Sequence, residues 1–500
     1  MTTSTTEFAI LYAVHIITIQ FGSVVSKVCE CLLRKGPLSL REIFRLAESQ
    51  NINHDKVKDV LYILIQHNCV QAYSLEPPDG NESKGVVQYL VLVNNILHRV
   101  RYNKFSKVVN EELGTQCSAV LDHLLRNGRL TLGQLIEIVT DHQNTKTSSE
   151  EIREYLQKLV DARFVERVPS PEPVLENKEQ GKKRGVNAAK ILKESKSLEE
   201  RVLEAATPVE ALRFPLLFQQ ASNSSLPDIN DDNIKRKRDV DASESSNEII
   251  WRPNFGEFIR RLRHKACVKI VNERMDKSCA AVLKAMLEVG RCQEKTVTTD
   301  KSVPMLVSSI YEEVIKTKGD CTILLEQVEA CLDQLSSASS YLPAFAIETD
   351  DSYIVDFKSI INVAQRDEME ALVMRRYGKE AFRMFRYLSS QEECFVETDK
   401  IADATLTEKK DTWNILMKMW KDGYLHMQKL VTVTSVYMPF YLWKVNKLIV
   451  SRKMLDEMYH ASLNLSLKCT HKLDSKEEAN KKLKGALFEL DDAIMIFHDF

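Results

Sequence analysis

The sequence has little glycine, and it contains none of the glycine-rich loops that cradle phosphate groups. Glycine accounts for 15 of the 500 residues, and no P-loop, dinucleotide-binding, nucleophile-elbow, zinc-protease or calcium-loop motif occurs. Carboxylate pairs such as Asp231-Asp232 and Glu392-Glu393 lie in charged stretches, where a solvated surface is the ordinary explanation. We therefore assign no catalytic residue and expect neither an active site nor a cofactor.

Cysteine is present, but not in a metal-binding pattern. The closest pair among the eleven cysteines, Cys29 and Cys31, has no accompanying set of cysteines or histidines, whereas a structural zinc site needs four ligands. Separate thiols of this kind are typical of a reducing compartment. The apolar stretch Phe8–Ile19 has no basic flank and no cleavage site, so we expect a core helix there, and no metal, signal peptide or membrane association.

An excess of positive charge is also missing. Lys and Arg number 69 against 71 Asp and Glu, for a formal net charge of -2. A protein that binds duplex DNA by itself usually carries a positive domain that releases counterions from phosphate. Any DNA contact should therefore be local and assisted by partners. A length of 500 residues favours several modules of roughly 100 residues each.

The sequence does contain an internal repeat. Leu32–Leu40 (LLRKGPLSL) returns as Leu124–Leu132 (LLRNGRLTL), roughly 90 residues later, which is the size of one small domain. Each copy ends a helix at a glycine and offers Ser39 or Thr131 as the N-cap of the next helix. The repeat therefore predicts a helix, a tight turn and a second helix in each module.

Each helix pair is followed by an apolar stripe at helical spacing and a β-prone hairpin. In the first copy the hairpin strands are Cys69–Tyr73 and Val86–Val93; in the second they are Arg163–Val168 and, after a long excursion, Ile249–Trp251. Two weaker copies follow. The stripes of the four third helices are Val57–Ile65, Ile152–Val160, Val328–Leu335 and Trp413–Trp420. Three helices and a β-wing form the winged-helix fold.

We therefore predict a mainly α fold with small β-wings, in which four tandem winged-helix domains precede a C-terminal helical hairpin or coiled coil. The predicted domains are 1–100, 101–252 with a disordered insertion at 169–248, 253–357, 358–444, and the tail 445–500. The insertion is rich in polar and charged residues. Its run Lys235-Arg236-Lys237-Arg238 is either a nuclear-import signal or a solvated tract.

Three local clusters of cations are candidates for nucleic-acid contact. The first follows the first wing and interleaves cations with aromatic residues, the second opens the third module, and the third recurs at helical spacing in the fourth. The predicted nucleic-acid-binding residues are Arg99, Arg101, Lys104, Lys107, Arg260, Arg261, Arg263, Arg375, Arg376 and Lys379. For each cluster, a solvated face or a face for an acidic partner is the alternative.

The third helix of the first module is poorly suited to reading a DNA groove. It begins with alternating charges at Asp55, Lys56, Lys58 and Asp59, whereas Arg, Asn and Gln dominate base contacts. We recognise no basic, groove-reading helix among the four candidates. Sequence-specific DNA binding is therefore not expected, and protein docking is the alternative use of these helices and wings.

Several short segments, in their order and spacing, resemble one known family. The segments are Phe21-Gly22, Val57–Val70, Gly85–Tyr89, Leu124–Leu132, Ile250-Trp251, Asn272–Asp276, Arg376–Gly378 and Phe382–Arg386. Together they are similar to the RNA polymerase III-specific subunit with tandem winged helices, the third specific subunit of that enzyme, which is related to the large subunit of TFIIE. The resemblance covers nearly the whole chain.

The resemblance implies four winged helices and a C-terminal coiled coil, held with two other specific subunits in a peripheral heterotrimer near the polymerase clamp. It implies a nuclear protein without catalysis of its own that contacts TFIIIB and promoter DNA, as single strands or backbone. Its role would be to help open the promoters of small non-coding RNA genes such as those for 5S rRNA and tRNA. The insertion and the short tail after Val445 depart from the family pattern. A winged-helix scaffold or a DNA-binding regulator outside the polymerase is the alternative.

Overall fold

The chain forms two compact units, Met1–Phe258 and Ile259–Phe500. The computed structural model describes residues 6–75, 86–142, 148–169, 173–175, 197–207, 210–215, 249–291, 293–294, 299–318, 324–339, 342–350, 352–391, 394–431, 439–471 and 477–500. The basic run at 235–238 lies outside these residues. In the described part of the chain, no helix has the length and apolar character needed to cross a lipid bilayer.

The first unit opens with a helix that the winged-helix pattern alone does not require, joined at Gly22 to the helices of the first module. In chain order the elements are α1 (Glu7–Phe21), α2 (Ser23–Lys35), β1 (Leu38–Ser39), α3 (Leu40–Glu48), α4 (His54–Gln66), β2 (Val70–Leu75) and β3 (Val86–Val91). A capping box between Ser39 and Glu42 starts α3. Strand β3 lies between β1 and β2 and is antiparallel to both, so two long wing strands follow the third helix, α4.

The second module of this unit repeats the arrangement. Its elements begin with α5 (Val93–His98), a 3-10 turn (Arg99–Arg101), α6 (Tyr102–Leu113), α7 (Thr115–Asn127), β4 (Leu130–Thr131), α8 (Leu132–His142), α9 (Ser149–Asp161) and β5 (Val165–Arg167). After β6 (Val174–Leu175), α10 (Leu198–Ala206) and α11 (Glu210–Arg213), the chain returns as β7 (Ile250–Pro253). Strand β7 lies between β4 and β5 and is antiparallel to both. The wing return predicted at Ile249–Trp251 is therefore confirmed, and Trp251 is fully buried.

Part of the insertion after Pro169 is structured, which corrects the expectation of disorder for those residues. Strand β6 pairs with β2 in parallel, with Val174 opposite Ser74. A small apolar cluster of Tyr73, Leu175 and Val202 joins β2, β6 and α10. The sequence pattern missed this contact because each apolar piece is short and its partners lie far away along the chain.

The two winged helices of the first unit meet at the C-terminal end of α4. The backbone N–H of Arg129 donates to the carbonyl of Gln66 at 3.0 Å, and its Nε donates to Oδ1 of Asn68 at 2.9 Å. The amide of Gln66 donates in turn to the carbonyl of Asn127 at 3.2 Å. Gly128 has a φ of +80°, and a Cβ there would lie 2.1 Å from the carbonyl oxygen of Gln66. The end of α4 is thus occupied by a protein contact.

A third module of the same kind follows, and all of it except the first turn of its opening helix belongs to the second unit. Its elements are α12 (Phe255–Arg274), α13 (Lys277–Gly290), β8 (Met305–Leu306), α14 (Val307–Lys318), α15 (Leu325–Ser336), β9 (Ala346–Thr349) and β10 (Ser352–Val355). Strand β10 lies between β8 and β9. The predicted stripe of α15 is confirmed, because Val328, Leu332 and Leu335 are buried.

A fourth three-stranded sheet follows, with the tail behind it. The elements are α16 (Phe357–Tyr377), α17 (Lys379–Ser390), β11 (Val396–Glu397), α18 (Thr398–Thr405), α19 (Lys409–Lys421), β12 (His426–Val431), β13 (Pro439–Lys444), α20 (Lys447–His471) and α21 (Glu477–His498). Strand β13 lies between β11 and β12. Helices α20 and α21 pack on each other and on α16.

The turn from third helix to wing has the same backbone conformation in three modules. Asn68, Arg163 and Gly423 occupy it with φ values of 58°, 64° and 77°. In each module the next backbone N–H donates to the carbonyl five residues earlier, at 2.8 to 2.9 Å, which is the closing bond of a helix C-terminal cap. The predicted fold class, mainly α with small wings, is confirmed. The domain boundaries and the coiled coil stay predictions.

Candidate nucleic-acid interface

The first predicted cluster lies largely inside the first unit. Arg99, Arg101 and Lys104 expose 7%, 1% and 6% of their surface, and only Lys107 of this cluster is exposed. The chain leaves the first wing here and passes through the 3-10 turn into α6. A phosphate could reach the three buried cations only if the unit opened, so their burial argues against the predicted contact.

Arg99 has a structural role in this interior. Its guanidinium lies 4.7 Å from the ring centroid of Phe21 and 5.3 Å from that of Tyr102, distances at which a cation is attracted to an aromatic face. The ring of His67 also packs on Phe21, with ring centroids 4.7 Å apart. Burial, reinforced by the positive charge of Arg99, lowers the pKa of His67 to about 4. The cluster therefore ties α1 to the start of the second module.

The second predicted cluster is also buried, within the second unit. Arg260, Arg261 and Arg263 on α12 expose 3%, 4% and 3% of their surface. Arg260 donates to both the backbone carbonyl and the carboxylate of Glu294, each at 3.4 Å. The guanidinium of Arg263 lies 4.4 Å from the ring centroid of Phe357. These arginines hold the segment after α13 and the start of α16 against α12, which argues against phosphate contact.

Glu294 is the acidic centre of this buried group. Burial pushes its pKa upward, but the His264 ring, whose Nε2 lies 3.6 Å from the carboxylate, and the charges of Arg260 and Arg263 outweigh burial. The pKa of Glu294 therefore lies below its ordinary value. Burial lowers the pKa of His264 against the opposing pull of Glu294. The His264 ring also stacks on Phe357, with centroids 5.4 Å apart. The group has the features of a packed polar core.

The third predicted cluster is exposed. Arg375, Arg376 and Lys379 lie where α16 ends and α17 begins. Arg376 is engaged: its guanidinium contacts the Glu457 carboxylate at 2.9 and 3.3 Å and donates to the Tyr424 hydroxyl at 2.9 Å. The hydrogen bond with Glu457 is the main cause of the raised pKa of Arg376. Arg376 therefore anchors α16 to α20, and Arg375 and Lys379 are left at the surface.

The exposed cations continue along α17. Arg383 and Arg386 are exposed on the same helix as Lys379, at spacings of four and seven residues, which places all three on one side of the helix. The opposite side of α17 is buried through residues such as Met384 and Phe385. We call Arg375, Lys379, Arg383 and Arg386 the α17 face.

A second exposed basic surface, on α19 and its wing, was missed by the sequence analysis. Lys410, Asn414, Lys418, Lys421 and, on β12, Lys429 are all exposed; we call them the α19 face. The Trp and Met stripe of this helix predicted a core role only, although its four lysines against one aspartate were visible in the sequence. The expectation that no third helix is basic is therefore wrong for α19. Among the described residues, no group of His, Cys, Asp and Glu is arranged to hold a metal ion.

Comparisons with known proteins agree with this organisation. A family model described as RNA polymerase III subunit RPC82 matches residues 154–364. The RNA polymerase III subunit RPC82 helix-turn-helix domain matches residues 11–75, and the POLR3C C-terminal winged-helix domain matches residues 369–445.

Whole-chain relatives carry the same description. The DNA-directed RNA polymerase III subunits RPC3 of Bos taurus and Homo sapiens are each 25% identical over 462 residues, which covers 89% of this chain and 81% and 80% of the relatives. Subunit rpc3 of Dictyostelium discoideum is 28% identical over 181 residues, 32% of this chain and 27% of the relative. With three family models spread along the chain and relatives matched over most of its length, the chain belongs to the RPC82/RPC3 family of RNA polymerase III subunits.

Proposed function

We propose that this chain is a non-catalytic subunit of nuclear RNA polymerase III that acts in transcription initiation and promoter opening at small non-coding RNA genes, including those for 5S rRNA and tRNA. The observation that carries the proposal is the match to RNA polymerase III subunits over 89% of the chain. The sequence offers no catalytic motif, so we assign the chemistry of RNA synthesis to other subunits.

The partners that we propose are the other two specific subunits, the polymerase clamp and TFIIIB. Two features of the described residues favour protein docking by some of the modules. Helix α15 carries Glu326, Glu329 and Asp333 and no cation, which is unfavourable for contact with phosphate. The C-terminal end of α4 is covered by Arg129 of the next module, so this part of the helix already serves a protein contact.

The DNA contact that we propose lies on the α17 face. Its four cations are all exposed, three of them on α17 and Arg375 at the end of α16. Cations placed near phosphates release condensed counterions, which favours binding without regard to sequence. If this surface holds backbone or separated strands beside the cleft, it lowers the free energy of the open complex relative to the closed one. Promoter opening would then be assisted by binding alone.

A transcription assay with matched templates tests this role. The variant Arg375→Gln/Lys379→Gln/Arg383→Gln/Arg386→Gln removes the charge of the α17 face, and a control removes four cations elsewhere: Lys56→Gln/Lys58→Gln/Lys269→Gln/Lys284→Gln, all exposed. Each is assembled into polymerase III and assayed on a linear 5S rRNA gene and on the same gene with a pre-melted start site. We expect the α17 variant to lose most activity on the linear duplex and to recover it on the pre-melted template.

The control should transcribe both templates normally. Full activity of the α17 variant on the linear template would contradict the proposed opening role. A defect that persists on the pre-melted template, or loss of other subunits from the purified enzyme, would also contradict it, because the residues would then serve assembly or elongation.

A further inference from the structure

Helix α19 presents a mainly polar and cationic side away from its core, interrupted by the partly buried Met417. Thr412, Leu416 and Met419 are its buried residues. Lys410, Asn414 and Lys421 follow one another at spacings of four and seven residues, and at 100° per residue they point to the side opposite that buried stripe. With a rise of about 1.5 Å per residue, the outer two lysines lie roughly 16 Å apart along the helix.

No other third helix in this chain has this charge. Helix α19 has four lysines and one aspartate. Helix α4 balances two lysines with two aspartates, α9 has four carboxylates against two cations, and α15 has three carboxylates alone. The third helix is thus basic in one module and neutral or acidic in the other three. The winged-helix fold therefore does not require this positive charge, which indicates a function specific to the fourth module.

The charge on this face is not neutralised locally. Lys409, at the edge of the helix, pairs with Asp399 at 3.1 Å. By contrast, no carboxylate among the described residues lies within ion-pair distance of Lys410, Lys421 or Lys429. Three ammonium groups without counter-charges on the same helix and wing produce a positive potential, which an anionic partner would relieve.

The wing adds a cation beside the helix. Lys429 stands opposite Tyr441 in the antiparallel register of β12 and β13. The Tyr441 ring lies against Trp413 of α19, with centroids 4.5 Å apart. This strand position therefore borders α19, and the third helix and wing together form the arrangement that winged-helix proteins use on duplex DNA.

We propose that the α19 face binds duplex DNA, with its lysines on the phosphates of both groove walls and Asn414 towards the base edges. Asn is suited to adenine in the major groove. The aromatic residues of α19 are the partly buried Trp413 and the exposed Trp420. Both lie roughly 80–100° around the helix from the line of Lys410, Asn414 and Lys421, so they do not form a stacking platform in line with these residues. This inference rests on the proposed function, in that it gives the chain a contact with promoter duplex separate from the α17 face.

Salt-dependent binding by the full chain tests the proposal. A fluorescent duplex of about 20 base pairs is titrated with wild-type chain, with Lys410→Gln/Lys421→Gln/Lys429→Gln, and with the control Lys56→Gln/Lys58→Gln/Lys284→Gln, which loses the same charge. Each lysine on a phosphate contributes about 0.9 to the slope of log affinity against log salt. We expect the slope of the α19 variant to fall by about 3 and the control to match wild type. Thermal melting confirms that each variant is folded.

Three outcomes would overturn the proposal. An unchanged slope for the α19 variant would exclude phosphate contact, and an equal fall in the control would show only a general effect of net charge. In the third outcome, the α19 variant keeps the wild-type salt slope but no longer captures other polymerase subunits. That result would assign the face to an acidic protein partner. None of these outcomes touches the linear-template defect expected for the α17 variant, so the failures of the two proposals are distinguishable.

Discussion

Gly128 gives the sharpest test of how the first two modules are joined. Its φ of +80° is costly for any residue with a Cβ, and the added atom would lie 2.1 Å from the carbonyl oxygen of Gln66. The neighbouring carbonyl carbon would lie at 2.9 Å. Both are backbone atoms, so no side-chain rotation relieves the clash. Gly128→Ala must therefore separate α4 from the turn after α7.

The size of the effect follows from two contributions. The left-handed backbone costs about 1–2 kcal/mol for an alanine. Separation also weakens three hydrogen bonds between Gln66 or Asn68 and Asn127 or Arg129, each worth about 1 kcal/mol. The expected loss of stability is about 4–5 kcal/mol. Gly36→Ala is the matched control, because Gly36 has the same place in the repeat and a φ of +82° but no atom within 4 Å of its added Cβ.

Hydrogen–deuterium exchange of the full chain measures both variants. Gly36→Ala should lose only the backbone contribution of about 1–2 kcal/mol. Gly128→Ala should lose roughly 3 kcal/mol more, so the protected amides of α7 and α4 should exchange about a hundredfold faster than in the control. Equal exchange in the two variants would refute the described contact between α4 and the second module.

Two further substitutions test the interior of the first unit. Arg101→Glu should unfold the first unit and cost several kcal/mol, because it buries an unpaired carboxylate at a site with 1% exposure; a normally folded variant by circular dichroism would contradict the burial. His67 is neutral in the fold because its pKa is lowered to about 4, so its stabilising contribution is complete above pH 6.5 and is lost as the pH falls towards 4. Urea unfolding at pH 7, 6 and 5 should therefore show a decline that His67→Phe reduces; equal declines would contradict the lowered pKa.

The sequence predicted the winged helices well because their signals are local. The stripe of α4 and the glycines of the repeated turn each lie within a dozen residues, and helical periodicity reports them directly. Even the distant wing strand of the second module was found, since Trp251 stands in a short β-prone segment. The pairing of Val174 with Ser74 was not found, because nothing near either residue specifies the other.

The nucleic-acid residues were predicted less well, for a physical reason. A run of cations has the same sequence whether it is solvated or packed, and burial depends on distant partners such as Glu294 for Arg260. Two of the three clusters are accordingly interior. The α19 face could have been found by comparing the charges of the four third helices, since α15 and α19 differ in sign. Whether the lysines of α19 are exposed or buried could be decided only from the fold.

Membership in the polymerase is the central claim, and affinity capture tests it most directly. A tagged copy of the chain is recovered from nuclear extract at moderate salt, and the proteins that remain in stoichiometric amount are identified by mass spectrometry. We expect the catalytic and specific subunits of RNA polymerase III in that set. Recovery of the folded chain alone, or with a different set of stoichiometric partners, would contradict the proposed function.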